Sequence, residues 1–173
     1  MVENSIDRLF VEFSVAKLNQ LTRRIEDCLG RLGQDKIWAR GGETENSVGN
    51  LVLHLCGNVR QWVVSGIGGA PDSRDRDGEF AARDTADAGE LARMLRSAVS
   101  DAAAVLDRLT AERLCETVRI QSYDSSVLAA VYHVVEHFSQ HAGQIIFATK
   151  RATGEDLGYY RHLRGKTHRE TTP

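Results

Sequence analysis

The sequence has only two prolines, Pro71 and Pro173, among its 173 residues. Proline is the residue that most strongly interrupts a helix, so nearly the whole chain is free to be helical. No apolar run approaches the roughly 20 residues that cross a bilayer. The N-terminal stretch MVENSIDRLFVEF carries early acidic residues and lacks the apolar segment of a signal peptide. We therefore expect a cytoplasmic protein with no membrane partner.

Cysteine is scarce, and neither sign of charge is in large excess. Cys28, Cys56 and Cys115 are odd in number, lie far apart and form no Cys-x-x-Cys pair. We expect three reduced, buried thiols, with neither a disulfide framework nor a cysteine-based zinc site. The formal net charge of −2 leaves no broad positive field for sequence-independent binding of DNA or RNA. The composition therefore disfavours nucleic acid as a partner.

The sequence is rich in helical periodicity. Apolar residues spaced by three and four predict four long helices. The predicted helices span about 5–32, 47–64, 89–109 and 125–153. Asn46 or Ser47 is expected to cap the second helix, and Asp124 or Ser125 the fourth, because short polar side chains bond to the free amides of a first turn.

The connections between these helices suggest the architecture. The stretch SGIGGAPDSRDRDGEF has four glycines and a proline, so it breaks helicity and predicts a long crossover between helices two and three. The segment VRIQSY favours a short extended stretch. We predict an all-α four-helix bundle, formed by one domain over 1–173 with a frayed tail from about 165.

Two of the predicted helices carry an apolar stripe with a polar stripe on its flank, when drawn at about 100° per residue. The polar stripe of the second helix consists of Asn50, His54, Asn58 and Gln61. The stripe of the last helix consists of His133, His137, His141 and Gln144. Such flanks hold the chemically active side chains of the bundle.

The spacing of the last three helical histidines limits how they can share an ion. His141 lies roughly 40° from the core direction of its helix, His137 about 80° and His133 about 120°. Imidazoles at i and i+4 point the same way and can bind one ion at about 2.0–2.1 Å. His133 and His141 are two turns apart, about 12 Å, too far to serve one ion easily. The pair is therefore His133/His137 or His137/His141, and inwardness favours the latter.

His54 completes a predicted metal site, because it lies on a matching polar flank and is the only other histidine in a predicted bundle helix. Three neutral imidazoles with an open fourth position suit one divalent ion, namely Zn²⁺, Ni²⁺ or Fe²⁺. A pair of histidines four residues apart is, by itself, as typical of a solvated surface or of satisfied core residues as it is of a metal site. A ferritin-like di-iron site is disfavoured, since the sequence has no Glu-x-x-His.

Neighbours on the same stripes are candidates for supporting roles. Ligating histidines generally need a hydrogen-bond partner on the second ring nitrogen, and Asn50 or Asn58 is expected to orient His54. Asn58 and Gln144 flank the stripes and are expected to hydrogen-bond a bound ligand or the substrate. His133 is the one candidate for a general base.

The motifs also resemble a known family. HVVEHFSQHAGQI is similar to the final-helix signature of the DinB-like (damage-inducible, YfiT-type) metal-binding proteins, in which His-x-x-x-His is followed by x-Gly-Gln. NSVGNLVLHLCGNVRQW resembles their second-helix motif, which supplies a third histidine. SRDRDGEF and EDLGYYRHLRG are similar to stretches of a bacterial branch of that family. The resemblance covers roughly Leu9 to Arg164.

This resemblance implies an up-down-down-up bundle, a three-histidine site on His54, His137 and His141, and homodimers. Recognised relatives include transferases and isomerases that use a low-molecular-weight thiol, which makes a thiol-dependent S-transferase acting on a small molecule the preferred expectation. A metal-dependent hydrolase and a non-catalytic dimeric binding module with a structural metal stay open as alternatives. One departure is Ala142, where many relatives carry arginine after the last ligand.

Other conspicuous residues have simpler interpretations. The alternating charges of 74–77 indicate a solvated loop. Trp38 and Trp62 are expected in the core or as interface anchors, with the Tyr159–Tyr160 pair as a further anchor. Cys56 is expected to be a buried structural thiol. His162 and His168 are assigned no role.

Overall fold

The computed structural model of the chain describes residues 5–161, and 69% of it is helical. The helices are α1 (Ile6–Arg31), α2 (Gln34–Ile37), α3 (Val48–Val59), α4 (Arg76–Ala81), α5 (Ala88–Leu106), α6 (Ala111–Cys115) and α7 (Val127–Thr153). A π-helix over Arg60–Ile67 continues α3, and the strands are β1 (Thr117–Ile120) and β2 (Tyr123–Ser126). Within the described part, no helix is long and apolar enough to span a membrane. His162, His168 and the tail from 165 lie outside it.

The four long helices form a bundle. Helix α1 packs against α5 and α7, and α3 packs against the same two helices. Phe138 of α7 and Leu55 of α3 are fully buried between them, and burying a side chain of this size contributes about 1.5–3 kcal/mol. The predicted all-α bundle is confirmed.

Capping residues set where the two site-bearing helices begin. The Ser47 hydroxyl accepts a hydrogen bond from the Asn50 amide while the Asn50 side chain accepts one from the Ser47 amide, a reciprocal capping box. Ser126 caps α7 by accepting a bond from the Ala129 amide. The prediction of Asp124 or Ser125 as this cap is wrong by one or two residues, because β2 continues through Ser126 and the helix begins directly after it.

The connections hold more structure than their composition suggests. The crossover between α3 and α5 contains α4, which packs against α3. The segment before α7 contains α6 and an antiparallel hairpin in which Ile120 pairs with Tyr123. Gln121 and Ser122 make the hairpin turn with positive φ angles of 50° and 67°. The extended stretch predicted near Val118 is therefore one strand of a pair.

Both tryptophans are buried. The Trp38 indole N–H donates to the Ala86 carbonyl at 3.0 Å, which anchors the loop after α2 to the start of α5. Trp62, in the π-helix, is only 5% exposed and is therefore not available as an interface anchor, whereas Tyr160 is exposed. A π-helical segment is rare and is often found beside functional sites.

The three cysteines are not equivalent. Cys28 and Cys56 are buried, and no disulfide joins them. Burial raises the pKa of Cys28, and it raises the pKa of Cys56 to about 12. Cys115 is exposed at the end of α6, so the expectation that all three thiols are buried is wrong for this residue.

We expect one thiol per chain to react rapidly with a disulfide reagent such as DTNB at pH 8. Cys115 is exposed, whereas Cys28 and Cys56 are shielded and stay protonated at that pH. Cys115→Ser should remove the fast phase, and the other two thiols should react only in denaturant. Rapid labelling of either remaining thiol in the folded Cys115→Ser protein would contradict this assignment.

Candidate metal centre

Three histidines from two packed helices meet in the middle of the bundle. His54 comes from α3, and His137 and His141 come from successive turns of α7. The Nε2 atom of His137 lies 3.2 Å from Nε2 of His54 and 3.2 Å from Nε2 of His141. Among the described residues, these three form the group of histidine, cysteine and acidic side chains that could hold a metal ion.

The spacing of these nitrogens fits shared coordination. Imidazole nitrogens that bind one zinc ion tetrahedrally at about 2.0–2.1 Å lie about 3.3 Å from one another, close to the two observed separations of 3.2 Å. His54 is buried, and the two α7 histidines are partly buried. A cation bound here would be largely shielded from bulk water, with α3 on one side and α7 on the other.

The second ring nitrogens of two ligand candidates are hydrogen-bonded outward. His54 Nδ1 lies 3.0 Å from Glu79 Oε2, and His141 Nδ1 lies 2.7 Å from Gln144 Oε1. Both partners are acceptors, so each Nδ1 carries the proton and each Nε2 presents a lone pair to the centre. This is the tautomer that a metal-binding imidazole requires.

The outward bonds also bear on whether the centre could hold a cation. The Nε2 atoms of His54 and His141 both approach His137 Nε2, which can carry at most one proton. At most one of the two close contacts can then be a hydrogen bond. In the other contact, the lone pairs of two Nε2 atoms face each other. A metal ion shared by the three nitrogens removes this conflict, so the residues present fit a three-histidine metal site.

The acid–base state of the imidazoles agrees with ligation. Burial and the neighbouring imidazoles of His141 and His54 lower the pKa of His137 to about 3. Burial also lowers the pKa of His141, against the opposing effect of the hydrogen bond that His141 donates to Gln144. Both rings are therefore neutral near pH 7, the form in which an imidazole nitrogen binds a metal.

Glu79, which bonds to His54, belongs to a buried ion pair. Arg74 Nε donates to Glu79 Oε1 at 2.7 Å, and Arg74 Nη2 donates to Glu79 Oε2 at 2.9 Å. Burial alone would raise the pKa of Glu79, but the hydrogen bonds from Arg74 and His54 outweigh it and leave this pKa below its usual value. Arg74 Nη2 also lies 3.0 Å from His54 Nδ1. Two donors cannot bond to each other, and the ionised carboxylate takes both protons.

Arg74 and Glu79 were not foreseen from the sequence. The alternating charges of 74–77 predict a solvated loop, and this prediction is wrong for Arg74, whose side chain is only 4% exposed. Arg74 also donates to Gln61 at 3.0 Å, which ties the crossover to the π-helix. The available signal was weak: an arginine and a glutamate five residues apart, in a segment whose path depends on the tertiary fold.

Gly57 makes room for this ion pair. A Cβ atom at this position would overlap Glu79 Oε1 and come within 2.9 Å of Arg74 Nε. The absent side chain therefore allows the Glu79 carboxylate to reach His54 across the face of α3.

The other predicted site residues have different surroundings. Asn50 does not contact His54, because its amide donates to the carbonyl oxygens of Glu79 and Ala82 in the crossover at 2.9 and 3.0 Å. Asn58 is buried, and its Oδ1 has no partner in the described structure. His133 stacks on Trp62, with ring centroids 4.3 Å apart, and its ring lies 5.6 Å from that of His137.

A cleft of about 540 Å³ opens beside the cluster. His54 and His137 form part of its wall, together with Asn58, Trp62 and His133. The hairpin supplies the opposite side through Tyr123 and Ser125. A small molecule in this cleft would lie directly against two of the three clustered imidazoles.

Comparisons with solved structures identify the fold. A conserved protein from Enterococcus faecalis aligns with a TM-score of 0.69 and 16% identity over 83% of this chain and 97% of that chain. A DinB-like protein, YjoA of Bacillus subtilis, aligns at 0.65 and 17% over 85% and 96%. A DinB-like protein of Bacillus cereus aligns at 0.62 and 14% over 78% and 87%. At these identities the likeness shows the fold, which is DinB-like as the motifs indicated.

The amino-acid sequence identifies the family to which the chain belongs. The model of the family described as "Protein of unknown function (DUF1572)" matches residues 5–165, and the chain belongs to this family. No curated protein sequence matches the chain significantly.

We expect Gly57→Ala to weaken metal binding while leaving the bundle folded. The added methyl group displaces Glu79 from His54, and loss of an outer partner typically costs about 10- to 100-fold in metal affinity. Gly143→Ala is the matched control, because a Cβ there meets nothing within 4 Å although the residue lies two positions from His141. Competition titration against a chromogenic chelator measures both affinities. Equal affinities in the two variants would show that Glu79 does not support the site.

Proposed function

We propose that this protein is a metal-dependent enzyme that binds one divalent ion, Zn²⁺, Ni²⁺ or Fe²⁺, through His54, His137 and His141. The observation that carries the proposal is the convergence of the three Nε2 atoms, of which those of His54 and His141 each lie 3.2 Å from that of His137. The outward bonds of His54 and His141 to Glu79 and Gln144 support it, because they orient lone pairs toward the centre.

The type of site is catalytic rather than structural. Structural zinc sites have four protein ligands, whereas catalytic sites have three and keep one position open. Among the described residues the cluster offers three ligand atoms, and no cysteine belongs to it. The adjoining cleft gives a small molecule access to the open position.

The preferred reaction is transfer onto the sulfur of a low-molecular-weight thiol. A divalent ion held by three neutral imidazoles would lower the pKa of a bound thiol and so supply a thiolate near neutral pH. In the transfer, the sulfur bonds to an electrophilic carbon of the second substrate, and that carbon's bond to its leaving group breaks with its electron pair. His133 is the proposed acceptor of the thiol proton, because it belongs to the wall of the cleft.

The charges in the cleft favour this reaction over hydrolysis. A hydrolase commonly adds a carboxylate base to activate water. Among the described residues that line the cleft, Asp124 is the one with a carboxylate, and this carboxylate is paired with Arg119 at 2.9 Å. Glu79 is committed to Arg74 and His54. A thiol needs less help, because its pKa lies far closer to neutrality than that of water.

Cobalt substitution tests this proposal. Co²⁺ should bind at one ion per chain, and an added thiol should produce a sulfur-to-cobalt charge-transfer band. His54→Ala, His137→Ala and His141→Ala should each reduce Co²⁺ affinity by more than about 100-fold, because each removes a ligand. His133→Ala should retain the metal. Metal loss from His133→Ala with none from His141→Ala would refute the ligand set, and an unchanged spectrum with thiols would favour the non-catalytic binding module.

We also propose that the protein forms a homodimer through the exposed apolar face of α1 and α7. Phe13, Tyr132 and Tyr160 are exposed and line one shallow surface cleft, and aromatic residues are enriched in protein interfaces. Sedimentation should give a dimer at micromolar concentration and a monomer for Tyr132→Glu. A wild-type monomer would remove this proposal without affecting the metal site.

A further inference from the structure

Buried polar atoms without a partner are concentrated around the cleft. In the described structure, six buried side-chain nitrogen or oxygen atoms have no hydrogen-bond partner. Four of them belong to residues that line the cleft, namely Asn58 Oδ1, Trp62 Nε1, Ser125 Oγ and His137 Nδ1. Burying a polar group without a partner costs free energy, so such groups are normally satisfied by protein, water or a ligand. Their grouping around one cleft points to a ligand.

Two asparagines of α3 show that these unpartnered atoms are a local feature. Asn50 and Asn58 are both buried and lie two turns apart on the same helix. The side chain of Asn50 accepts from Ser47 and donates to crossover carbonyls. The Oδ1 atom of Asn58 has no such partner and belongs to the cleft wall. The fold satisfies the side chain of Asn50 and leaves the Oδ1 acceptor of Asn58 without a partner among the described residues.

The two most buried of these groups are complementary and close in sequence. Asn58 Oδ1 accepts hydrogen bonds, and Trp62 Nε1 can only donate one. Trp62 follows Asn58 by four residues, so the two residues are about one helical turn apart, and both line the cleft. The Trp62 ring is held between those of His133 and Tyr123, at centroid distances of 4.3 and 6.5 Å. The donor is therefore fixed in position before a ligand arrives.

We propose that Asn58 and Trp62 form a recognition subsite for a carboxamide group on the small-molecule substrate. A carboxamide carries a carbonyl acceptor and an N–H donor side by side, matching Trp62 Nε1–H and Asn58 Oδ1. A carboxylate would set an anion against the Asn58 oxygen, and an ester would leave that oxygen without a donor. The assignment rests on the proposed function in one respect: the substrate's reacting end is taken to lie at the three histidines.

The first experiment compares the stability of metal-free variants by thermal unfolding. Asn50→Leu should lower the Tm by several degrees, because it breaks a satisfied buried network. Asn58→Leu should leave the Tm unchanged or raise it, because it replaces an unsatisfied acceptor with an apolar side chain of similar size. A loss of Tm in Asn58→Leu as large as that in Asn50→Leu would show that Asn58 is structural, which would overturn the subsite.

The second experiment measures binding to Co²⁺-loaded protein with two matched thiols, 3-mercaptopropanamide and methyl 3-mercaptopropanoate. The amide should bind about three- to tenfold more tightly, the effect of one hydrogen bond. Asn58→Leu should remove this difference, and Trp62→Phe should weaken both thiols by a similar factor. Equal affinities for wild-type protein, with both thiols giving the charge-transfer band, would overturn the subsite and leave the open metal site intact.

Failure of thiol coordination is a separate result. If neither thiol gives the band, the thiol part of the proposed function is wrong. The subsite is then tested with propanamide and methyl propanoate. Binding of each compound is measured by the change in tryptophan fluorescence, taken as the difference between wild-type protein and Trp62→Phe. Preference for propanamide that is lost in Asn58→Leu supports the subsite, and equal response to both compounds overturns it.

Discussion

The candidate site depends on one unfavourable contact, the approach of the Nε2 atoms of His54 and His141 to within 3.2 Å of His137 Nε2 between two helices of the bundle. Three neutral imidazoles cannot all be satisfied by one another, since the protons of His54 and His141 point outward to Glu79 and Gln144. The surrounding fold holds the rings in this position. A cation shared by the three nitrogens, as proposed, would turn the same contact into a favourable one.

Much of that support comes from the crossover rather than from the four long helices. Arg74 and Glu79 form a buried ion pair against α3, and breaking such a pair by removing one partner typically costs about 3–5 kcal/mol. The Asn50 amide donates to backbone carbonyls in the last turn of α4 and at its C-cap. The residue that follows His141 is the uncharged Ala142. The guanidinium near the site is therefore that of Arg74, which lies beside His54. The crossover therefore orients His54 and forms one wall of the cleft.

The sequence predicted the parts of this arrangement that follow from local periodicity. Apolar spacing located the four helices, and angles on a wheel selected His137 and His141, which the structure brings together with His54. Arg74 and Glu79 were missed, because their burial depends on how a glycine-rich connection folds back over Gly57. The unpartnered acceptor of Asn58 could not be foreseen either. Asn50 and Asn58 lie on the same predicted stripe, and only tertiary contacts distinguish them.

The most direct test of a three-histidine centre is X-ray absorption spectroscopy of the zinc-loaded protein without added thiol. The account predicts three imidazole nitrogens at about 2.0–2.1 Å and one further light atom that exchanges with solvent. Adding a thiol should replace that light atom with sulfur at about 2.3 Å. Sulfur coordination before a thiol is added would contradict the account. A zinc shell that keeps all three imidazole nitrogens in His54→Ala would contradict it as well.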